Sequence, residues 1–323
     1  MNKAIRSPSL IDALLPVGAL IVLLPLSVYL FADNSSYGPN QLALLFCAAL
    51  AGLVGLKNGY GWTEIEAGIN KGIQISLGAI LILLAVGSLI GTWILSGTVP
   101  TMIYLGLKLM SPELFYAAAC AVCALVAISI GSSWTVAGTI GIGLMGIASG
   151  LGISLEITAG AVISGAYFGD KLSPLSDTTN LAPAVAGTDL FSHIRHMLWT
   201  TIPSLAIALV LFLILGFTQE SAHADHELET ILSTLNGNFN LGLHLLIPMA
   251  VLLFLAIKKV PAIPAIFAAA LLGGVFAVIF QPQAVLALAG EAGGLSQGVL
   301  LLKGVWMALF DGYESHTGVE VID

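Results

Sequence analysis

The eleven residues Asp170-Lys171-Leu172-Ser173-Pro174-Leu175-Ser176-Asp177-Thr178-Thr179-Asn180 hold two carboxylates, one amine, four hydroxyls and one amide. Apolar, small-residue segments flank them at 156–168 and 181–187. Polar groups at membrane depth are expensive and as a rule handle a solute. Pro174 lacks an amide donor and pushes Ser173 out of helical conformation, so a helix through this stretch must break. A broken helix exposes carbonyls and N–H groups that lipid does not tolerate unless protein or a solute satisfies them. That combination is a recipe for an ion site in a secondary transporter. Asp170 and Asp177 are the strongest ion ligands here. A carboxylate shielded from water holds a cation or a proton but not both, and burial favours the proton once the cation leaves. If the empty carrier cannot reorient, that competition alone gives exchange. The other reading is a polar cytoplasmic loop at the end of a span. Lys171 cannot face Asp170 along one helix, because i,i+1 neighbours diverge. It either pairs with a carboxylate across the site, or takes the cation position between binding events, or snorkels to an interface.

A second constellation is Gly131-Ser132-Ser133-Trp134-Thr135, followed by Gly138 and Thr139. It separates two apolar runs. Hydroxyl and carbonyl oxygens suit hard cations such as Na⁺ and Li⁺, so Ser132, Ser133 and Thr135 fit a re-entrant tip or helix break. A plain turn with Trp134 as an interfacial anchor fits as well. An ion site needs oxygens from more than one segment, so the two constellations are expected to approach each other. Helix geometry is expected to fail over about 170–180.

Composition sets the frame for these residues. The 323-residue chain is 58% hydrophobic and 9% charged, with a mean hydropathy of +1.00. Soluble domains carry roughly 25% charged residues, so this is an integral membrane protein. The net charge of −8 and the lack of a basic surface exclude nucleic-acid binding. No nucleophile–base arrangement or phosphate-binding glycine loop is present, so no enzyme activity and no cofactor are expected. Cys120 and Cys123 have metal or redox spacing without a partnering His or further Cys, and are read as packed small residues.

A crossing helix needs about 20 apolar residues. Candidates are 11–32, 40–56, 73–95, 112–130, 134–152, 156–187 (broken), 197–217, 241–257 and 261–281. Segments 97–109 and 283–310 are shorter and fit half-helices or re-entrant pieces. Ala161, Gly165 and Gly169, and likewise Gly146 and Gly150, form close-packing faces. Lys3, Arg6, Lys57, Lys71, Arg195, Lys258 and Lys259 place the N-terminus in the cytoplasm, with the acidic stretch 218–239 outside.

Gly59-Tyr60, followed by Thr63-x-Ile65-Glu66, matches Gly312-Tyr313, followed by Thr317-x-Val319-Glu320, on opposite sides of the membrane by span count. This suggests an inverted repeat. The expected division is a first repeat at 1–217 with both polar breaks, an acidic external loop at 218–239, and a second repeat begun at 240–323 and truncated.

Three stretches resemble the NhaC-type sodium/proton antiporter family. They are 131–141 (Gly-Ser-Ser-Trp-Thr-Val-Ala-Gly-Thr-Ile-Gly), Gly312-Tyr313-x-Ser315-x-Thr317-Gly318, and above all 159–183 (Ala-Gly-Ala-Val-Ile-Ser-Gly-Ala-Tyr-Phe-Gly-Asp-Lys-Leu-Ser-Pro-Leu-Ser-Asp-Thr-Thr-Asn-Leu-Ala-Pro). The resemblance implies an all-α polytopic fold with inverted repeats meeting at two polar breaks, and Na⁺/H⁺ exchange across the cell membrane. It also implies that some members exchange organic acids such as malate and lactate, and that members continue well past residue 323. The site it implies is Ser132, Ser133 and Thr135 with Asp170, Ser173, Ser176, Asp177, Thr178, Thr179 and Asn180. Alternatives are coupled exchange of a small carboxylate, and an inactive truncated fragment. Expected partners are the lipid bilayer, Na⁺ and H⁺, with a small carboxylate and a second copy of the chain as further candidates.

Overall fold

A computed structural model of the protein describes residues 5–174, 176–219, 225–290 and 294–315. Every regular element among them is helical. Lipid demands this of open chains, since a helix satisfies its backbone internally. Six of the described helices are long and apolar enough to cross a bilayer. The protein is therefore an all-α, multi-pass membrane protein.

The chain forms two compact units, 1–78 and 79–323. In the first, α1 (Leu10–Phe31) and α2 (Pro39–Lys57) make a hairpin. Ser9 caps α1 reciprocally: its hydroxyl accepts the Asp12 N–H at 3.2 Å, and the Asp12 carboxylate accepts the Ser9 N–H at 3.1 Å. Asp12 also takes the Lys57 ammonium at 2.6 Å, which ties the start of α1 to the end of α2. Next comes α3 (Trp62–Leu95), which runs on into the second unit. It begins eleven residues before the expected 73, with Glu64 accepting the Gly61 N–H at the first turn.

The second unit adds α4 (Thr98–Leu109), α5 (Pro112–Ile130), the five-residue α6 (Ser133–Ala137), α7 (Ile140–Gly150), α8 (Leu155–Leu172), α9 (Asp177–Ala186) and α10 (Leu190–Thr218). They are followed by α11 (Asp225–Asn238), α12 (Ile247–Ile257), α13 (Ala262–Phe280), α14 (Pro282–Ala289) and α15 (Gln297–Phe310). The expected half-helices at 97–109 and 283–310 appear as α4 and as α14 with α15. The break lies ahead of the expected span 241–257, which appears as Leu243–Ile257. Its helix starts only at Ile247 after a 3₁₀ turn, and Leu243–Ile257 is bent 84° from Glu229–Asn238. The acidic stretch, expected as a loop, carries α11 over 225–238, whose Ile231 and Leu235 are buried.

At the centre lies α5. Phe115, Tyr116, Ala119, Cys120 and Cys123 are fully buried, both cysteines as free packed thiols. Water gives no drive for helices to associate inside lipid, so close van der Waals packing must do it. Accordingly α8 lays Gly165 and Gly169 against the α5 backbone. A Cβ at Gly165 would overlap the Cys120 carbonyl, and one at Gly169 the Ala124 carbonyl. Only glycine allows this approach. A similar fit joins α4 and α7, where Met102, Ile103 and Leu107 of α4 fill the space over Gly143, Gly146 and Gly150, and Ile147 of α7 fills that over Gly106.

Around α3, Ser96-Gly97 forms another helix break. Thr98 donates to the Leu245 carbonyl at 2.8 Å. Beside it the Gln281 side chain pairs with both backbone groups of Asn240, accepting its N–H at 3.1 Å and donating to its carbonyl at 2.9 Å. Ser88 of α3 donates to the Leu309 carbonyl at 2.6 Å, and Gly91 abuts Ala308 and Gly312, so the second Gly-Tyr motif packs on α3.

Candidate ion site at two helix breaks

The first break begins where Gly131, in the left-handed region at φ 77°, stops α5. Ser132 then caps α6: its hydroxyl accepts the Thr135 N–H at 3.2 Å and the Thr135 hydroxyl at 2.9 Å. One short turn later Thr139 donates to the Thr135 carbonyl at 2.6 Å before α7 starts. Ser133, Thr135 and Thr139 are all buried. This is a helix break with oxygens facing protein. Trp134, on the other side, is about half exposed.

The second break is narrower than expected. Helix α8 continues through Asp170 to Leu172, and α9 starts at Asp177, so geometry fails only over 173–176. Leu175 lies outside the described residues. Ser176 repeats the role of Ser132, its hydroxyl accepting the Thr179 N–H at 3.3 Å. Both breaks therefore share a Ser-x-x-Thr cap. Of the two ways to satisfy the carbonyls that the break frees, protein or a solute, protein already serves several of them. Thr179 donates to the Asp170 and Lys171 carbonyls at 3.0 and 3.1 Å, and the Asn180 amide to those of Pro174 and Ser176 at 2.9 and 2.8 Å.

The breaks meet at Asp170. Its Oδ2 accepts the Ser133 hydroxyl at 3.2 Å, and the residue is only 6% exposed. Among the described residues no donor bonds its Oδ1. One residue thus touches the first break through its carboxylate and the second through its backbone carbonyl, which accepts from Thr179. The two constellations, expected to approach each other, are joined here through Asp170. Lys171 turns away and donates to the Thr178 hydroxyl at 3.1 Å, which in turn pairs with Ser176 at 3.0 Å. Ser173 is fully buried. Asn180 is exposed and acts as a cap. The side chain of Asp177 lies outside the described residues; its backbone opens α9. Among the described residues no group of three or more His, Cys, Asp or Glu could hold a metal ion, and the described oxygens here are the Asp170 carboxylate, hydroxyls and carbonyls. Such a set suits a weakly held hard cation passing through.

The Lys171–Thr178 contact and the placement of Thr139 were not anticipated by sequence reasoning. A Thr four residues after Thr135, within reach of its carbonyl, was the available signal for the latter.

Residues 165–306 match the family model described as the Na⁺/H⁺ antiporter family. Over 280 residues the chain is 41% identical to the malate-2H⁺/Na⁺-lactate antiporter of Bacillus subtilis, covering 86% of this chain and 59% of that protein. It is 38% identical over 284 residues to the Na⁺/H⁺ antiporter NhaC of Alkalihalophilus pseudofirmus, covering 88% and 58%. It is 37% identical over 327 residues to the arginine/ornithine antiporter ArcD of Halobacterium salinarum, covering 98% and 62%. The chain thus spans about three fifths of the length of these curated relatives. No solved structure gives a significant match.

Proposed function

We propose that the chain, which matches the Na⁺/H⁺ antiporter family model over 165–306 and Na⁺/H⁺ antiporters over most of its length, works as a secondary antiporter exchanging Na⁺ for H⁺ across the cell membrane. The observation that carries this reading is Asp170: a buried carboxylate with one oxygen on Ser133 and the other unbonded within the described residues, set where two broken helices meet. A lone buried anion needs a compensating charge, and Na⁺ or H⁺ supplies it in turn. Ser132, Ser133, Thr135, Ser173, Ser176, Thr178, Thr179 and Asn180 supply neutral oxygens or hold the breaks open, and Asp177 is a second acid at the start of α9. Alternation is assigned to inverted repeats, divided at 1–217, 218–239 and 240–323, with the N-terminus cytoplasmic by the positive-charge bias.

A second reading is coupled exchange of a small organic solute, favoured by two relatives whose names carry malate and lactate or arginine and ornithine. Proteoliposomes with an internal pH-sensitive dye separate the two. Na⁺ alone moves protons in the first reading, whereas the second also requires the solute. Asp170→Asn and Asp177→Asn each remove a chargeable group at nearly constant size and should stop Na⁺-driven proton movement at matched protein levels. Full activity in both variants would remove these acids from the mechanism and the site with them.

A further inference from the structure

An open groove of about 350 Å³ runs between α8 and α10. Phe168, Leu205 and Ala208 give it apolar walls, and Lys171 stands at its polar part with Thr200 and Ser204. The α10 hydroxyls donate back to their own helix: Thr200 to the Met197 carbonyl at 3.0 Å, and Ser204 to the Thr200 carbonyl at 2.7 Å. Their lone pairs are therefore what they offer to the groove. Lys171 has three donors and, among the described side chains, meets one neutral acceptor, the Thr178 hydroxyl. Among the described side chains, which do not include that of Asp177, the one ion pair is Lys57 with Asp12, and Lys171 has no carboxylate on it. Helix α10 is a membrane-crossing helix whose apolar window has no buried residue, so the groove opens where acyl chains lie.

We propose that this groove binds an anionic phospholipid of the phosphatidylglycerol type. Its phosphate sits on the Lys171 ammonium, its glycerol hydroxyls donate to Thr200 and Ser204, and an acyl chain lies along Phe168, Leu205 and Ala208. A cation between membrane helices is a natural headgroup contact. Lys171 follows Asp170 in sequence and holds Thr178 of the second break, so the lipid acts on the site already described. A phosphate draws the ammonium from Thr178 and frees the Ser176–Thr178 pair to rearrange. The inference extends the exchange reading to its regulation, yet the binding step needs only the membrane-spanning fold.

Native mass spectrometry of the purified protein, released from detergent containing equal amounts of dioleoyl phosphatidylglycerol and dioleoyl phosphatidylcholine, tests it without any transport assay. The two proposals can therefore fail separately. Wild type should retain phosphatidylglycerol over phosphatidylcholine by about fivefold. Lys171→Gln should lose the preference. Leu205→Trp, which fills the groove and keeps the amine, should lose it too. Lys108→Gln should keep it, because Lys108 sits over the Tyr104 ring, away from the groove. Equal retention of both lipids by wild type would overturn the proposal without reliance on any variant. So would a preference that survives both groove substitutions. Displacement of the lipid by glycerol 3-phosphate or malate at matched concentration would assign the groove to a free anion instead, and would equally overturn it.

Discussion

Ser133 and Asp170 are 37 residues apart in the chain and 3.2 Å apart in space, hydroxyl to carboxylate. Each sits at the edge of a different helix break: Ser133 opens α6 and Asp170 lies in the last turn of α8. A shift of either break relative to the other must stretch or lose this bond. The bond therefore reports whether the site is assembled.

Ser133→Ala should weaken Na⁺ binding without abolishing exchange. A hydrogen bond to a charged group contributes about 1.5–3 kcal/mol, so the Na⁺ concentration for half-maximal proton movement should rise by roughly tenfold or more. Ser133→Thr keeps the hydroxyl and should fall between the two. Na⁺ titrations of proteoliposomes give the answer, and an unchanged midpoint in Ser133→Ala would remove this bond from ion binding.

Two glycines of α8 should respond with opposite signs. A methyl at Gly169 meets the Ala124 carbonyl and the Ile128 N–H at 2.6 Å, and backbone cannot step aside. Gly169→Ala should cost about 1–3 kcal/mol through overpacking. Nothing lies within 4 Å of a Cβ at Gly160, so Gly160→Ala should stabilise by up to about 1 kcal/mol through helix propensity. Thermal unfolding in detergent, followed by circular dichroism, checks both. Equal midpoints would contradict the tight α5–α8 seam.

Gln281→Leu removes the side chain that satisfies both backbone groups of Asn240. Each such hydrogen bond contributes about 0.5–1.5 kcal/mol net, so losing both should exceed an ordinary surface change. Gln281→Glu keeps the acceptor but not the donor, and should fall in between in the same unfolding assay.

Asp189 caps α10, accepting the Ser192 N–H at 2.9 Å. Hydrogen bonds from Ser192 hold its carboxyl below the usual carboxylate value of 3.8. A depressed folded value means a stabilising contribution that is complete above the unfolded value and is lost as pH falls through the folded one. The midpoint of wild type should therefore fall faster than that of Asp189→Asn on going below about pH 4. Parallel acid profiles for the two proteins would show that the cap does not depend on charge.

The breaks were legible because their causes are local. Pro174 denies a donor, and Ser132 and Ser176 are cap residues by type. What joins the breaks was not legible. Asp170 meets Ser133 because α8 is seated on α5 by Gly165 and Gly169, and spacing shows that a face is small without showing which carbonyls it will touch. The caps on the freed carbonyls by Thr179 and Asn180 were hidden for a similar reason, since polar residues in a row do not state which of them serve the backbone. Charge misled at 225–238. Ile231 and Leu235, four apart, carried the helical signal, but the acids around them suggested solvent. Ahead of 241–257, hydropathy measured apolar content and said nothing of direction, so the 84° bend between Glu229–Asn238 and Leu243–Ile257 was invisible.

The pairing of α4 with α7 has a genetic consequence. Each socket is a glycine on one helix and each plug a side chain on the other: Met102 over Gly143, Ile103 over Gly146, Leu107 over Gly150, and in reverse Ile147 over Gly106. Bulk added to a socket has one obvious remedy, which is to trim its own plug. Damage at Gly143 should be suppressed by shortening Met102 and not by shortening Leu107, and damage at Gly150 the other way round. The two half-helices thus carry a lock-by-lock address. Second-site revertants would spell it out one pair at a time, and drifting lineages would be bound to change both members of a pair or neither.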